Sequence, residues 1–101
     1  MECIETEFSE SPPRPALPAR LRKSSGSHCE IAVLDVSLAG CLFERRGLSL
    51  QVDERVLIRL GDLSFMPGTV VWIEEQEVGL VFEAELYEPV LEHLKRAFRP
   101  R

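Results

Sequence analysis

A carboxylate, a hydroxyl and a glycine lie close together at the end of an apolar stretch. Residues 35–40 read D-V-S-L-A-G, so Asp35 and Ser37 are two positions apart and Gly40 follows. A carboxylate accepts hydrogen bonds from N–H donors, whereas a hydroxyl both donates and accepts, so the pair suits a small polar ligand. Short polar side chains also cap the turn after a strand. The D-x-S-x-x-G pattern therefore predicts either a ligand site or a capped turn.

Basic residues are concentrated before this motif. Residues 12–28 contain Arg14, Arg20, Arg22 and Lys23 and no acidic residue, although the chain has a net charge of -5. Nucleic-acid affinity depends on neutralising many phosphates, so the net charge argues against a nucleic-acid-binding protein. A local basic patch on an acidic protein suits a small anion. The alternative for Arg22 and Lys23 is a solvated strand face.

Enzymatic and metal chemistry find little support in the sequence. The three cysteines, Cys3, Cys29 and Cys41, have no C-x-x-C spacing, so neither a disulfide framework nor a zinc site is predicted. The two histidines, His28 and His93, fall on different predicted elements, and no nucleophile, base and orienting group occur together. We therefore expect no catalytic residue, no metal and no cofactor.

The chain is long enough for one modest domain. Its 101 residues exclude two domains, and residues 1–13, which are acidic and then proline-rich, are predicted to be a flexible tail before a single domain at 14–101. No stretch approaches the roughly 20 apolar residues of a membrane span, and the acidic opening is unlike a signal peptide. These features predict a cytoplasmic protein with no membrane insertion.

Hydrophobic periodicity predicts short strands followed by a helix. In the second strand, Ile31 and Val33 are expected on one face and Ala32, Leu34 and Val36 on the other. A break is expected at Pro67-Gly68. The predicted strands are 19–23, 29–36, 41–43, 55–60, 63–66, 69–73 and 78–82, of which 63–66 is a short additional one.

The end of the chain changes to a helical period. Pro89 suits the first turn of a helix, and one apolar face follows, formed by Val90, Leu91, Leu94 and Phe98. Many short strands with a closing helix predict a small β-barrel capped at one end.

Taken together, these segments resemble the PilZ domain family of bacterial cyclic di-GMP receptors. The resemblance covers about 14–98 and depends on the D-x-S-x-x-G motif, G-C-L-F at 40–43, T-V-V-W at 69–72 and V-G-L-V-F at 78–82. It implies an all-β fold, a six-stranded antiparallel barrel with a C-terminal α-helix. It also implies that Asp35 and Ser37 bind a guanine edge and that Gly40 lets the backbone turn close to it. Trp72 is expected either to stack on a guanine or to be a core or rim residue.

The arginine segment departs from the family pattern. Family members that bind nucleotide use an R-x-x-x-R segment, and alignment places Arg14 at its second arginine and Glu10 at its first. Losing one charge-assisted contact costs about 1.5–3 kcal/mol, and each 1.4 kcal/mol is about tenfold in affinity. Arg20 or Arg22 could substitute from the adjoining strand.

Two functions therefore remain open. The first is a cyclic di-GMP receptor whose Arg14, Arg20, Asp35, Ser37, Gly40 and Trp72 bind the nucleotide. The second is an adaptor of the same fold that binds a protein partner without nucleotide, which the glutamate at position 10 favours. In either case the protein is expected to be a monomer or a weak dimer.

Overall fold

The alternating strands form a closed barrel in the computed structural model, which describes residues 15–99. One helix follows the last strand. The elements, in chain order, are β1 Leu17–Lys23, β2 His28–Val36, β3 Gly40–Glu44, β4 Arg55–Leu60, β5 Met66–Glu74, β6 Glu77–Phe82 and α1 Glu88–Arg96. The predicted six-stranded antiparallel barrel with a C-terminal helix is confirmed.

Strand β1 closes the barrel because it pairs with two neighbours. The order around the barrel is β1-β2-β3-β6-β5-β4, and β1 is antiparallel to both β2 and β4. Its residue Arg20 is opposite Glu30 on one side and Arg59 on the other. The β3–β6 wall consequently lies across the barrel from the β1–β4 wall.

The core contains one face of every strand. Leu21, Phe43, Ile58 and Val70 are all fully buried, and they come from β1, β3, β4 and β5. Leu94 of α1 is also fully buried and packs against this core. The helix therefore covers the core with the apolar face that its sequence predicts. No described helix is long and apolar enough to cross a membrane.

The exposed side of α1 contacts the turn after β4. Nε2 of His93 lies 3.2 Å from Oδ1 of Asp62, and this hydrogen bond is the largest cause that lowers the pKa of the Asp62 carboxyl. Both side chains are exposed to solvent, so we expect the pair to contribute little to stability.

A bulge in β2 changes which face its side chains occupy. The β2–β3 register shifts between Val33 and Asp35, so Leu34 has no direct partner. Leu34 forms a second apolar cluster outside the barrel, together with Ala16 and Ala32, and Leu42 packs against it. Val36 was predicted on the face of Ala32 and Leu34, but it lies in the main core with Ile31 and Val33. The extra residue of the bulge explains this error, because it reverses the alternation.

The predictions around residues 63–68 were also wrong. The predicted short strand at 63–66 is a turn that continues to the first residue of β5, and Pro67-Gly68 lies inside β5 instead of breaking it. Pro67 is opposite Leu57 of β4, whereas pairing with β6 begins one residue later, at Gly68. A proline is tolerated there because it lies at the end of the β5–β6 ladder, where its carbonyl still accepts the Glu83 N–H at 3.0 Å and only one donor is missing. The strand predicted at 55–60 is confirmed with the same bounds.

The cluster around Leu34 fixes the chain that leads into β1, which generates a first prediction. We expect Leu34→Ala to lower the free energy of unfolding by about 2 kcal/mol, near the low end for buried leucines because a cluster at the surface can relax. Amide exchange at Ala16, whose N–H donates to the Arg99 carbonyl at 2.7 Å, should accelerate more than exchange in β5.

Urea unfolding and hydrogen exchange measure these two effects. Val52→Ala is the matched control, because Val52 is an exposed aliphatic residue and its truncation should change stability by less than about 0.5 kcal/mol. Equal acceleration at Ala16 and throughout β5 would show that the cluster has no local role.

Candidate functional site

The D-x-S-x-x-G motif forms the tight turn between β2 and β3. The Ser37 N–H donates to the Gly40 carbonyl at 2.8 Å, and the Ser37 hydroxyl lies 3.3 Å from both the N–H and the carbonyl oxygen of Gly40. The end of β6 and the loop after it hold the turn from outside, because the N–H groups of Phe82 and Leu86 donate to the Ala39 and Leu38 carbonyls. The turn is thus fixed by backbone contacts on both sides.

Gly40 is required by the approach of two strands. A methyl group at this position would overlap the backbone carbonyl of Leu80 on β6. Any larger residue would force β3 and β6 apart. Gly40 was expected to let the backbone turn close to a guanine, and this stays a prediction; within the described residues the close approach at Gly40 is to β6.

Asp35 is exposed at the end of β2 and keeps part of its carboxylate free. Its Oδ1 accepts the N–H of Val36 at 2.9 Å. Within residues 15–99, the other oxygen has no hydrogen-bond partner. The structure thus gives Asp35 a role in the turn and also an acceptor that faces solvent. A ligand N–H group could bind there.

The strand registers place Asp35 and Trp72 in one row across the outer wall. Asp35 is opposite Leu42 on β3, Leu42 is opposite Gly79 on β6, and Gly79 is opposite Trp72 on β5. Neighbouring strands are about 4.8 Å apart, so the Cα atoms at the two ends of the row are at most about 14 Å apart. We call this row of four residues, with its turn, the Asp35–Trp72 face.

The indole of Trp72 lies over the backbone of Gly79. A methyl group at Gly79 would overlap the Nε1, Cε2 and Cδ1 atoms of the ring, so the glycine provides the space that the indole fills. A second bulge, at Val71, separates Trp72 from the inward-facing Val70. Trp72 is 42% exposed and is therefore an outer-wall residue with part of its ring open to solvent, not a core residue.

Apolar side chains line the wall beside this row. Val81 is 44% exposed, and its register partners are Gly40 on one side and Thr69 on the other. Leu42 is half-buried between the Leu34 cluster and Gly79. The face consequently combines an acidic end at Asp35 with an apolar floor and an indole at the far end.

The chain that leads into β1 reaches the same wall. Ala16 packs on Leu34 beside Leu42, and its backbone forms a two-way hydrogen-bonded bridge with Arg99. The described chain therefore begins, at Pro15, next to the Asp35 end of the face. Arg14, Glu10 and the predicted tail at 1–13 lie outside the described residues, and the boundary at residue 14 stays a prediction.

Arg20 lies apart from the other predicted site residues. Its guanidinium forms an ion pair with Glu30 at 3.0 Å, and Glu30 precedes Asp35 by five residues, about 16 Å along β2. The structure thus brings Asp35, Ser37, Gly40 and Trp72 to one wall and leaves Arg20 on another. Sequence reasoning missed Gly79, Leu42 and Val81, which complete that wall. The only sequence signal for these three residues was the alternation of inward and outward positions around Gly79.

No reactive thiol adjoins this face within the described residues. Cys41 follows Gly40, but burial raises the pKa of its thiol to about 12, so the thiol stays protonated near neutral pH. The side chains exposed at the face are suited to hydrogen bonding and stacking.

The position of Trp72 over Gly79 generates the second prediction. We expect Gly79→Ala to displace the indole and shift the emission of Trp72, which is the only tryptophan in the sequence, toward that of solvated indole. Gly79→Ala should also weaken the binding of any ligand that stacks on the indole.

Fluorescence spectra recorded below the urea transition test this expectation. Val52→Ala serves as the control, because Val52 is exposed and lies outside the strands. An unchanged spectrum in folded Gly79→Ala would mean that the position of the Trp72 indole does not depend on the glycine.

Comparison with known proteins agrees with this architecture. A search of curated proteins found no match. The sequence pattern of the PilZ domain matches residues 12–99, which leaves out only the first eleven and the last two residues. That match includes every strand, the D-x-S-x-x-G turn and the helix, and PilZ domains are generally receptors for cyclic di-GMP. The chain belongs to the PilZ domain family.

Proposed function

We propose that the protein is a cyclic di-GMP receptor of the bacterial cytoplasm that binds the nucleotide on the Asp35–Trp72 face. The observation that carries this proposal is the register, which aligns an exposed carboxylate and an exposed indole across one wall. The proposal is also supported by Ala16, which packs at the same wall, directly after the segment that contains Arg14.

The chemistry of the face suits a guanine base. The free oxygen of Asp35 accepts hydrogen bonds, and guanine presents N–H donors at its edge. The partly open ring of Trp72 offers a stacking surface, and stacking on an aromatic side chain is worth about 1–3 kcal/mol per base. The Ser37 hydroxyl already bonds Gly40, so we assign it mainly to holding the turn.

Phosphate binding falls to the segment before β1. Arg14 adjoins the first described residue, and its guanidinium is able to bind a phosphate through two parallel hydrogen bonds. Glu10 replaces the first arginine of the family pattern and repels phosphates. We therefore expect weak binding of cyclic di-GMP, with a dissociation constant of roughly a hundred micromolar.

The second candidate function is that of a nucleotide-independent adaptor for a protein partner. Glu10 favours it, because a carboxylate replaces an arginine of the phosphate-binding pattern. The contacts of Ser37 and of Asp35 Oδ1 within the turn also favour it, since these atoms have a structural role without any ligand. On this alternative the exposed indole contacts protein.

Restoring the family arginine gives the third prediction. Glu10→Arg should tighten cyclic di-GMP binding by roughly 10- to 150-fold, because one charge-assisted contact is worth about 1.5–3 kcal/mol. Isothermal titration calorimetry measures the two dissociation constants. Glu7→Arg is the matched control, since it makes the same charge change out of register. If Glu7→Arg tightened binding as much as Glu10→Arg, the gain in affinity would be due to net charge and not to the position of the arginine.

Removing groups from the face gives the fourth prediction, best measured in the tighter Glu10→Arg background. Trp72→Ala should weaken binding by roughly 5- to 150-fold through lost stacking, and Asp35→Ala by at least about tenfold through a lost charged hydrogen bond. Asp35→Asn should retain the turn contact to Val36 and still weaken binding, because its amide replaces the charge.

Glu92→Ala is the control for both changes, because Glu92 is an exposed acidic residue on the helix. Unchanged affinity in folded Asp35→Ala and Trp72→Ala would place the nucleotide elsewhere. The absence of binding in both the natural chain and Glu10→Arg would favour the adaptor.

A further inference from the structure

The β1–β4 wall, across the barrel from β3 and β6, has four arginines on its outer face. Arg20 and Arg22 come from β1, and Arg55 and Arg59 come from β4; neither strand contains an acidic residue. The chain as a whole has a net charge of -5, so this wall has the opposite sign to the rest of the protein. We call these four residues the arginine face.

Two of the four guanidinium groups are available for a further anion. Arg20 is paired with Glu30, and one terminal nitrogen of Arg55 donates to both carboxylate oxygens of Glu83 at 2.8 Å. Arg59 donates only its Nε–H, to the Leu63 carbonyl, and Arg22 has no hydrogen bond or ion pair within residues 15–99. Arg22 therefore lacks a carboxylate partner among the described residues, whereas Arg59 interacts with the Asp62 carboxylate by charge but forms no ion pair with it.

The registers also put like charges together. Arg20 and Arg59 are directly opposite each other on β1 and β4. Like charges at opposed positions destabilise a sheet, and the ion pair of Arg20 with Glu30 offsets part of this cost. The two arginines border a shallow depression of about 300 Å³ that Pro18, Glu30 and Gly61 also line.

A second depression adjoins the first and has an apolar floor. It has a volume of about 360 Å³ and is lined by Leu57 and Pro67, with Arg22 and Arg55 at its rim. Arg22, Leu57 and Pro67 are successive register partners across β1, β4 and β5. The arginine face therefore fits an acidic polypeptide that also presents an apolar side chain.

Residues 1–11 of this chain have that chemistry. They read MECIETEFSES and contain four glutamates, no basic residue and two large apolar residues, Ile4 and Phe8. These residues lie outside the described part of the chain. We propose that the arginine face is the docking surface for this acidic segment within the same chain.

The length of the connecting chain permits this contact. Arg22 is seven residues after Pro15, or about 23 Å along β1 at 3.3 Å per residue. Phe8 is seven residues before Pro15, and seven extended residues span at most about 25 Å. Residues 1–8 consequently reach the apolar depression. A short tether gives an effective concentration in the millimolar range, so a weak site suffices.

A spin label on Cys3 in the full-length chain tests the contact, and no nucleotide is needed. Cys41 is buried and stays unlabelled, and Cys29→Ser removes the partly buried third thiol. We expect the label to broaden amide signals of β1 and β4 more than those of β3 and β6. The contrast should disappear in about 1 M salt, where the Debye length is about 3 Å.

Charge reversal provides the specific test. Arg22→Glu with Arg59→Glu should abolish the selective broadening, whereas Lys95→Glu with Arg96→Glu, an equal charge change on α1, should leave it intact. Replacing all four glutamates by Gln should also abolish it. Both arginines are exposed, and Arg59→Glu creates a favourable pair with Arg20, so the double variant should fold.

Three outcomes would overturn the proposal. Broadening spread evenly over the barrel, or concentrated on β3 and β6, would show that the segment does not dock on the arginine face. Broadening that survives the arginine reversal would have the same meaning. Broadening that grows with protein concentration would identify a second copy as the occupant. Failure of cyclic di-GMP binding would not affect these results, because the label reports in the absence of nucleotide.

Discussion

The pairing of β1 with both β2 and β4 is the constraint on which the other features depend. It closes the barrel, and closure fixes an inner and an outer face for every strand. The inner faces merge into one core, whereas the outer faces form separate walls. Because β1 is also the first strand of residues 15–99, the chain enters it beside β2, where Ala16 packs on Leu34. Closure thus sets both the geometry of the Asp35–Trp72 face and the place where the arginine-bearing segment arrives.

Two bulges interrupt the regular alternation of the barrel at the candidate site. The bulge at Leu34 leaves Asp35 on the outer face and returns Val36 to the core, and the bulge at Val71 separates the inward Val70 from the outward Trp72. Each bulge inserts one extra residue into its strand, so the alternation of inward and outward side chains shifts by one position after it. Gly79 on β6 then leaves room for the indole of Trp72. The site therefore depends on irregularities as much as on the regular ladder.

The sequence predicted the parts of the fold that alternate regularly and failed where alternation stops. Strand β4 was predicted with its observed bounds, because Val56, Ile58 and Leu60 alternate with exposed residues. Val36 was assigned to the wrong face, because a bulge has no clear sequence signal. Pro67-Gly68 was interpreted as a break, because the position of Pro67 at the end of the β5–β6 ladder, which makes a proline acceptable, is a tertiary feature. Of the site, Asp35, Ser37 and Gly40 were found from spacing, whereas the role of Gly79 required the register.

The two walls bear on how Glu10, which replaces an arginine of the family pattern, affects phosphate binding. A carboxylate four residues before Arg14 opposes phosphate binding wherever both residues approach the same nucleotide. If the acidic segment is held on the arginine face, its charge is neutralised and directed away from Asp35. Docking and nucleotide binding would then share one connecting chain, and each would change the free energy of the other by the same amount. On the proposed function, a segment that weakens phosphate binding in a rigid clamp would thus regulate affinity through its docking on the opposite wall.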